Sequence, residues 1–526
     1  MKRVRSLVAV SIAAALLVSA CGSDSADSGT SGGASPDDVK TLVVNDAFDL
    51  KTSDPARAFE LTGSVVDHAV YETALNYDGA DVKKIVPGIA SFKLSADNKV
   101  LTLTLEGTHT FSDGTPVTAD DIVFSYQRVQ GIAGNPSFLL DGVTAAKVDD
   151  KTVTLTSKTA NPQLPFILPN PSLGIVNSKA VKANGGTTDA KDAAENYLNT
   201  NSAGSGPYMI DTYDVQSQVI FKTNPNYAGT KPAYGRVVMA NVPGATQKVN
   251  IQAGTAQVAF SLSPDDIAAL DTSKTKVIAS ASTTTIFMWF NMDAAFGKTA
   301  ADAQFVQAMR HAINYADLLK LAGAGSAQPG GLVPLSFVGA LDKDDNNSYD
   351  VDKAKSLLAE SKYKGEEITI LYSSDVAVGG VKIGDVAQAI EQQAAAIGVK
   401  LKLNPQPSST SLDSFRSGKS QAGVAYWGAD YPDPADYLVF APGGDLGNRA
   451  AWAESMAPDS TKLATAAAEA SGDEARAAAY IALQKQLNVE GPFIPLFQPA
   501  DNTVVSSSLS NVVVNPIWGL DFASIS

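Results

Sequence analysis

The chain of 526 residues contains one cysteine, Cys21, and three histidines, His68, His109 and His311. A single thiol permits no intramolecular disulfide, so the folded body must be held together by its core. The histidines are far apart and in no metal-binding spacing, which with one cysteine excludes a Cys/His zinc site. Cationic side chains are also scarce: 40 Lys and Arg against 55 Asp and Glu, a formal charge of −15. Nucleic acid is therefore not expected as a partner, because phosphate binding needs concentrated Lys and Arg. Beyond Cys21 no apolar run approaches the roughly 20 residues that span a bilayer.

Catalytic signatures are missing as well. There is no G-x-S-x-G elbow. Gly297-Lys298-Thr299 and Gly418-Lys419-Ser420 lack the upstream glycine of a phosphate-binding loop. The pairs Asp120-Asp121 and Asp265-Asp266 fall at helix starts, where carboxylates offset the dipole. Neither a cofactor nor a metal is expected, and nothing specific points to an enzyme.

What is present begins with an address. Lys2, Arg3 and Arg5 precede an apolar stretch from Leu7 to Val18, followed by Val18-Ser19-Ala20-Cys21. The apolar stretch is too short for a permanent span and reads as a signal peptide over residues 1–20. The small residues before Cys21 form a lipobox, so Cys21 is the expected site of lipid attachment. Acylation also accounts for the lone thiol. Gly, Ser, Ala and Asp dominate the next stretch, and residues 21–41 read as a flexible tether that cannot bury enough surface to fold.

The remainder alternates strands and helices. Leu101, Leu103 and Leu105 alternate with Thr102 and Thr104 as a half-buried strand, and Val153 and Leu155 repeat the pattern. Thr118-Ala119-Asp120-Asp121 reads as a capping box, and Ser263-Pro264 opens a second helix. Asp350 caps a third helix, and Phe305, Met309 and Ile313 form one stripe. Residues 367–403 form the clearest unit. A strand at Glu367–Tyr372 precedes a helix with Ile383, Val386, Ile390, Ala394 and Ile397 on one face. Gly398 ends that helix, and Val399, Leu401 and Leu403 follow as a strand. This β-α-β pattern predicts adjacent parallel strands.

Several blocks, spread over nearly the whole mature chain, resemble the extracellular solute-binding proteins of the oligopeptide- and dipeptide-binding type, family 5. The most specific runs from Phe111-Ser112-Asp113-Gly114-Thr115-Pro116 to Phe124-Ser125. Others are Asp54-Pro55, Val70-Tyr71-Glu72-Thr73-Ala74, Gly204-Ser205-Gly206-Pro207-Tyr208, Asn224-Pro225-Asn226-Tyr227, and Trp427-Gly428-Ala429-Asp430-Tyr431-Pro432-Asp433-Pro434. The resemblance implies an α/β fold of the periplasmic-binding-protein kind, bilobal, with a hinge and an extra inserted domain. Lobe I would comprise residues 42–70, 196–286 and 496–526, the inserted domain 71–195, and lobe II 287–495. It further implies a lipid-anchored, monomeric protein on the extracytoplasmic face of the cell membrane, passing a peptide or other small solute to the permease of an ABC importer.

By the same resemblance, Asp430 pairs with the α-amino group of a peptide ligand. Tyr426, Trp427 and Gly428 stand where backbone groups extend such a ligand as a short strand, with Trp427 either a pocket wall or core. Phe59, Glu60 and Leu61 stand where the first lobe supplies the opposing strand. Trp289, Phe290 and Asn291 read as packing, Asp433 as a turn former, and Arg416 and Arg310 as candidates for a ligand carboxylate. The alternatives are the same scaffold holding an oligosaccharide or a metal chelate, a surface-tethered sensor, and a secreted hydrolase.

Overall fold

Residues 39–526 are described in the computed structural model of the protein. The signal peptide, Cys21 and nearly all of the tether lie outside them. From Lys40 to Ser526 the contacts form one unit. It starts with strand β1 (Thr41–Asp46) and helix α1 (Leu61–Val70). An inserted layer follows: β2 (Ala90–Leu94), β3 (Val100–Leu105), α2 (Ala119–Ile132), β4 (Val143–Lys147) and β5 (Thr152–Ser157). Next come β6 (Tyr208–Asp214), β7 (Gln218–Thr223), β8 (Arg236–Asn241), β9 (Val258–Ala259) and β10 (Thr275–Ala281).

The second half opens with β11 (Thr284–Phe290) and α3 (Ala303–Ala312). It continues through β12 (Glu367–Ser373), α4 (Ile383–Ala395), β13 (Lys400–Gln406), α5 (Ser408–Arg416) and β14 (Ala422–Gly428). Helices α6 (Asp445–Arg449) and α7 (Asp473–Glu490) lead to β15 (Phe493–Phe497), and β16 (Ala500–Ser506) returns to the first sheet.

Two α/β lobes result, each with its own sheet. The first sheet is ordered β10-β16-β9-β1-β8-β7-β6 and the second β13-β12-β14-β11-β15. A four-stranded sheet, β2-β3-β5-β4, belongs to the insertion. The β-α-β unit expected over 367–403 is present, with β12 and β13 parallel from Glu367↔Lys400 to Ser373↔Gln406. Gly398 takes a φ of 88°, a left-handed conformation that an L side chain strains to adopt. Strand β11 is apolar on both faces because both are covered. Ile286, Met288 and Phe290 face one core, Phe287 and Trp289 another. No helix of the described residues is long and apolar enough to cross a membrane.

The chain passes between the two main sheets at residues 282–283 and again at 498–499. The expected segment ends, 286/287 and 495/496, fall inside β11 and β15. Motif spacing cannot see sheet membership, and the apolar run of β11 carries no internal break. The two crossings are tied together: the Gln498 side-chain amide donates to the Ser282 carbonyl.

The blocks that carried the resemblance meet at one junction. Ser112 N–H donates to Gly204 O (2.9 Å), Asn224 Nδ2 to Gly206 O (2.9 Å) and Asn226 Nδ2 to Ser112 O (3.0 Å). A β-carbon on Gly204 would lie 2.1 Å from Val70 O, so only glycine lets this segment cross the end of α1. Asp121, at the start of α2, accepts from the Thr118 backbone (2.9 Å) and from Ser178 N–H (2.9 Å). The Phe111–Ser125 block is therefore a hydrogen-bonded corner whose turn, Asp113–Pro116, is exposed and whose helical end, Asp121, Ile122, Phe124 and Ser125, is buried.

Candidate functional site

A cavity of about 460 Å³ opens between the lobes and is lined from both. Phe59, Glu60, Leu61, Tyr426, Gly428 and Asp430 all border it, together with Asp49, Asn170 and Asp501. One lobe contributes the turn before α1, the other the end of β14 and the loop that follows. No Lys, Arg or His stands in this lining.

Strand β14 explains the shape of the site. It pairs antiparallel with β11 along its whole length, from Thr284↔Gly428 to Phe290↔Ala422. On its other side it pairs with β12 only at Ile370↔Ala422 and Leu371↔Gly423. Past Gly423 the two strands diverge. At the two ends of the ladder Asn291 N–H donates to Gln421 O (2.9 Å) and Ala429 N–H to Thr283 O (3.2 Å). Antiparallel pairing alternates, so Tyr426 and Gly428 turn their N–H and C=O groups away from β11, toward the gap. The result is a short free strand edge that faces a cavity, a geometry onto which an extended chain can add.

The same alternation separates the side chains. Tyr426 is exposed at the cleft, whereas Trp427 turns to the other face of the sheet. Its Nε1–H donates to Asp436 Oδ2 (3.2 Å), and its ring meets Phe440 edge-on at 6.4 Å. Trp427 thus borders not the interlobe cavity but its neighbour, a cavity of about 560 Å³ that shares Tyr426 and Gly428.

Asp430 is pinned by its backbone and free at its side chain. Its N–H donates to Asp436 Oδ2 (3.2 Å), and its carbonyl accepts from Asn170 Nδ2 (3.2 Å). The carboxylate makes no hydrogen bond or ion pair with any described residue. Burial pushes this group up to about 6. Asp436 is buried and pushed well above the usual carboxylate range, first by desolvation and then by the charge of Asp430. Its Oδ2 accepts from both the Trp427 ring N–H and the Asp430 backbone N–H. A half-buried carboxylate held rigidly in place with no counter-charge is a site for a cationic group from outside the chain.

Other residues singled out from the sequence have different work. Glu60 accepts from Lys51 N–H (2.8 Å) and Phe59 N–H (2.9 Å), so its carboxylate shapes the turn before α1. Leu61 is 57 % exposed, and Phe59 meets Phe138 edge-on at 5.5 Å. Asp433 pairs with Arg476 in the interior and caps the turn at Ala435. Trp289 stacks on Phe415, Phe290 meets Phe305, and Asn291 bonds to Gly418 O and Ser420 O, all in packing roles.

Arg310 is no candidate for a ligand carboxylate. It is fully buried and donates to Asn347 Oδ1 and Phe493 O, because α3 directs it into the core. His68 stacks on Trp518, His109 lies 3.0 Å from the Glu72 carboxylate, and His311 bonds to Ser348 O. Among the described residues no group of His, Cys, Asp and Glu converges as a metal site.

Sequence reading missed Asn170, Asp436, Asp49 and Asp501. Only Asp436 lies near a recognised block. Asn170 reaches Asp430 across 260 positions and carried no local signal.

The family model described as bacterial extracellular solute-binding proteins, family 5 middle, matches residues 84–445. The chain is 27% identical over 492 residues to the "Probable D,D-dipeptide-binding periplasmic protein DdpA" of Escherichia coli (strain K12), covering 90% of this chain and 92% of that one. It is 25% identical over 520 residues to "Di/tripeptide-binding protein 2" of Pseudomonas aeruginosa (strain UCBPP-PA14), covering 92% and 94%. Among solved structures, the ABC transporter substrate binding protein CtaP from Listeria monocytogenes superposes with a TM-score of 0.81 at 19% identity. That match covers 93% of this chain and 99% of that one.

Proposed function

From the premise that the chain belongs to family 5 of the bacterial extracellular solute-binding proteins, we propose that it captures short peptides between its lobes and delivers them to an ABC-type importer. One observation carries the reading: the free edge of β14 ends beside an uncompensated carboxylate, Asp430. A peptide with a free N-terminus satisfies both. Its ammonium group pairs with Asp430, and its backbone adds to Tyr426 and Gly428, which leaves side-chain identity largely unread. The relatives named for dipeptides and tripeptides support this choice over an oligosaccharide or a metal chelate.

The crossings at 282–283 and 498–499 act in this reading as the hinge, with lobe I, the inserted domain and lobe II divided close to the expected ends. Ligand is enclosed when the turn at Phe59–Leu61 approaches β14. The protein works as a monomer.

Calorimetric titration of di- to tetrapeptides at two pH values tests the proposal. The ammonium group binds the ionised form of Asp430, whose carboxyl loses its proton near 6. Affinity is constant well above that value and falls as pH drops through it. Between pH 7.5 and pH 5 a loss of about tenfold is expected, from the one-in-eleven ionised fraction at a unit below the midpoint. Absence of any peptide binding, or binding that ignores acetylation of the N-terminus, contradicts the reading.

The address is the second part of the proposal. A leader is removed before Cys21, which carries lipid and holds the protein at the outer face of the cell membrane. The lipobox at 18–21 and the Gly/Ser/Asp-rich tether support it. Mass spectrometry of the N-terminal peptide from detergent-extracted protein reads this directly. A diacylated Cys21 is expected, and an unmodified N-terminus elsewhere would remove the anchor from the scheme.

A further inference from the structure

Between β12 and α4 the second lobe extends a short hairpin. Ala377 and Val378 pair antiparallel with Lys382 and Val381. The turn between them is Gly379-Gly380, with φ of 56° and 79°. Two left-handed residues in succession make the two-residue turn that matches the twist of its strands. The hairpin is firmly rooted. Val381 is buried in the core of the second lobe, Ile383 N–H donates to Val376 O (3.2 Å), and Asp375 accepts from Ser408 N–H (2.8 Å).

Its tip leaves that lobe and rests on the other. A β-carbon on Gly379 would lie 2.8 Å from Pro499 Cβ and 2.9 Å from Ala500 O. One on Gly380 would lie 3.0 Å from both Leu262 O and Pro264 Cδ. Pro499 belongs to the second crossing between the sheets, and Ala500 opens β16 in the first lobe. Backbone thus meets backbone across the lobes, a close-packed contact that yields little to compression. The turn alone would accept Asn or Asp in place of Gly379. Contact with Pro499 and Ala500 is what leaves room for glycine only.

The hairpin also stands between two spaces. Val376 to Gly379 border the interlobe cavity of about 460 Å³, and Gly380 to Lys382 border a second cavity of about 630 Å³. That second space is likewise lined from both lobes, by Pro264, Ile267 and Asn502 on one side and Lys320 and Asp385 on the other. The tip therefore fills the gap between the lobes beside the crossing.

We propose that this hairpin is a spacer: its Gly379-Gly380 tip sets how closely the lobes approach over a ligand, and so which peptide length the closed cleft holds best. The inference rests on the peptide reading above and deepens it. A dipeptide held at Asp430 reaches the turn at Phe59–Leu61 only at the spacing that the tip allows. A tetrapeptide keeps further bonds along β14, which lies wholly in the second lobe and does not depend on that spacing.

The test compares wild type with G379N and G379D. Both substitutions supply a residue that the turn accepts, and both place a side chain against Pro499 and Ala500. Calorimetry with Ala-Ala, Ala-Ala-Ala and Ala-Ala-Ala-Ala reads affinity, small-angle scattering reads the lobe spacing, and the melting temperature reads the fold. The variants are expected to melt within a few degrees of wild type and to show a larger radius of gyration. The shortest peptide that wild type accepts should bind them about tenfold more weakly, the scale of forcing extra atoms into a packed contact. The longest should lose about twofold or less, because its bonds along β14 remain. Unchanged binding, an equal loss at every length, an unchanged radius, or melting far below wild type would overturn the spacer and leave the peptide reading standing. If wild type binds none of the three, the peptide reading falls, and the scattering comparison alone decides whether the tip sets the spacing.

Discussion

Replacement of Asp430 by alanine is expected to weaken the binding of free-amine peptides by about 100-fold, or roughly 3 kcal/mol, the scale on which loss of one partner in a desolvated charge pair is felt. The cost is large because Asp430 is the cleft carboxylate that stands at the end of the free strand edge. The other acids of the lining are engaged elsewhere: Glu60 is bonded to the turn before α1, Asp49 to Thr62 at the start of α1, and Asp501, on β16, is bonded by Ser282. A ligand ammonium enclosed without Asp430 would keep its desolvation penalty and lose its counter-charge. N-acetylated peptides, which bring no ammonium, should bind weakly to both proteins and differ little between them. An equal loss for free and acetylated peptides would take Asp430 out of this role.

The ligand-free protein should respond in the opposite direction. The Asp430 carboxyl is raised by burial to about 6, so ionising it in the folded state opposes folding. That opposition is absent near pH 4, grows as pH rises toward 6, and is complete above it. Asp430→Asn should therefore melt higher than wild type at pH 7.5 and alike at pH 4. Weaker binding alongside an unchanged or higher melting temperature separates a lost contact from a damaged fold.

Arg128→Met is expected to be the most destabilising single change considered, by about 3–5 kcal/mol, as when one partner of a buried ion pair is removed. Arg128 projects from α2 with its side chain 1% exposed. Nη1 and Nη2 donate to the two oxygens of Asp54 at 2.6 Å each. Nε and Nη2 donate to Asp192 at 2.8 Å each. Both carboxylates are fully buried, and among the described residues Arg57 would be left as their one cation, at 3.2 Å and 2.9 Å, beside the backbone N–H groups of Ala56, Thr187 and Ala194. Methionine fills the volume of the stem but supplies no donor. The result would be two poorly compensated charges where the insertion joins the first lobe.

Urea denaturation at several pH values checks this. Burial pushes the Asp192 carboxyl up, but the bonds and charge of Arg128 more than reverse this and hold it below its ordinary value. Stability from that depression is present above the unfolded value, near 4, and is lost as pH falls through the lower folded value. The gap between wild type and Arg128→Met should thus be widest at neutral pH and narrow in acid. A gap that is small at pH 7, or that does not change with pH, would show that the cluster is not a stabilising network.

Asp54 and Arg128 also illustrate what a family motif can mean. The Asp54-Pro55 pair and the Phe111–Ser125 block are specific enough to identify the scaffold, yet their side chains are used internally. Gly204 is retained by a backbone carbonyl 2.1 Å from where its β-carbon would stand. The Trp427–Pro434 block is mixed. Trp427 and Asp433 are bonded within the protein, while the Asp430 carboxylate is free. Type and position in a motif do not separate these roles; hydrogen-bond partners do.

Much of the fold was determined by sequence alone, because it rests on local physics. Alternation of Leu101, Leu103 and Leu105 needs only the pleat of a strand. The stripe from Ile383 to Ile397 needs only the period of a helix, and Asp350 and Ser263 need only the open N–H groups of the turn that follows. Composition excluded a disulfide core and a Cys/His metal site before any coordinate was known. Tertiary structure decided everything that depends on distant pairing. The divergence of β12 from β14 past Gly423 gives the strand edge, and no residue of β14 announces it. Asn170 and Asp436 hold the Asp430 backbone. A free edge and a carboxylate without a partner are each defined by what does not surround them. Their surroundings come from chain segments tens to hundreds of residues away.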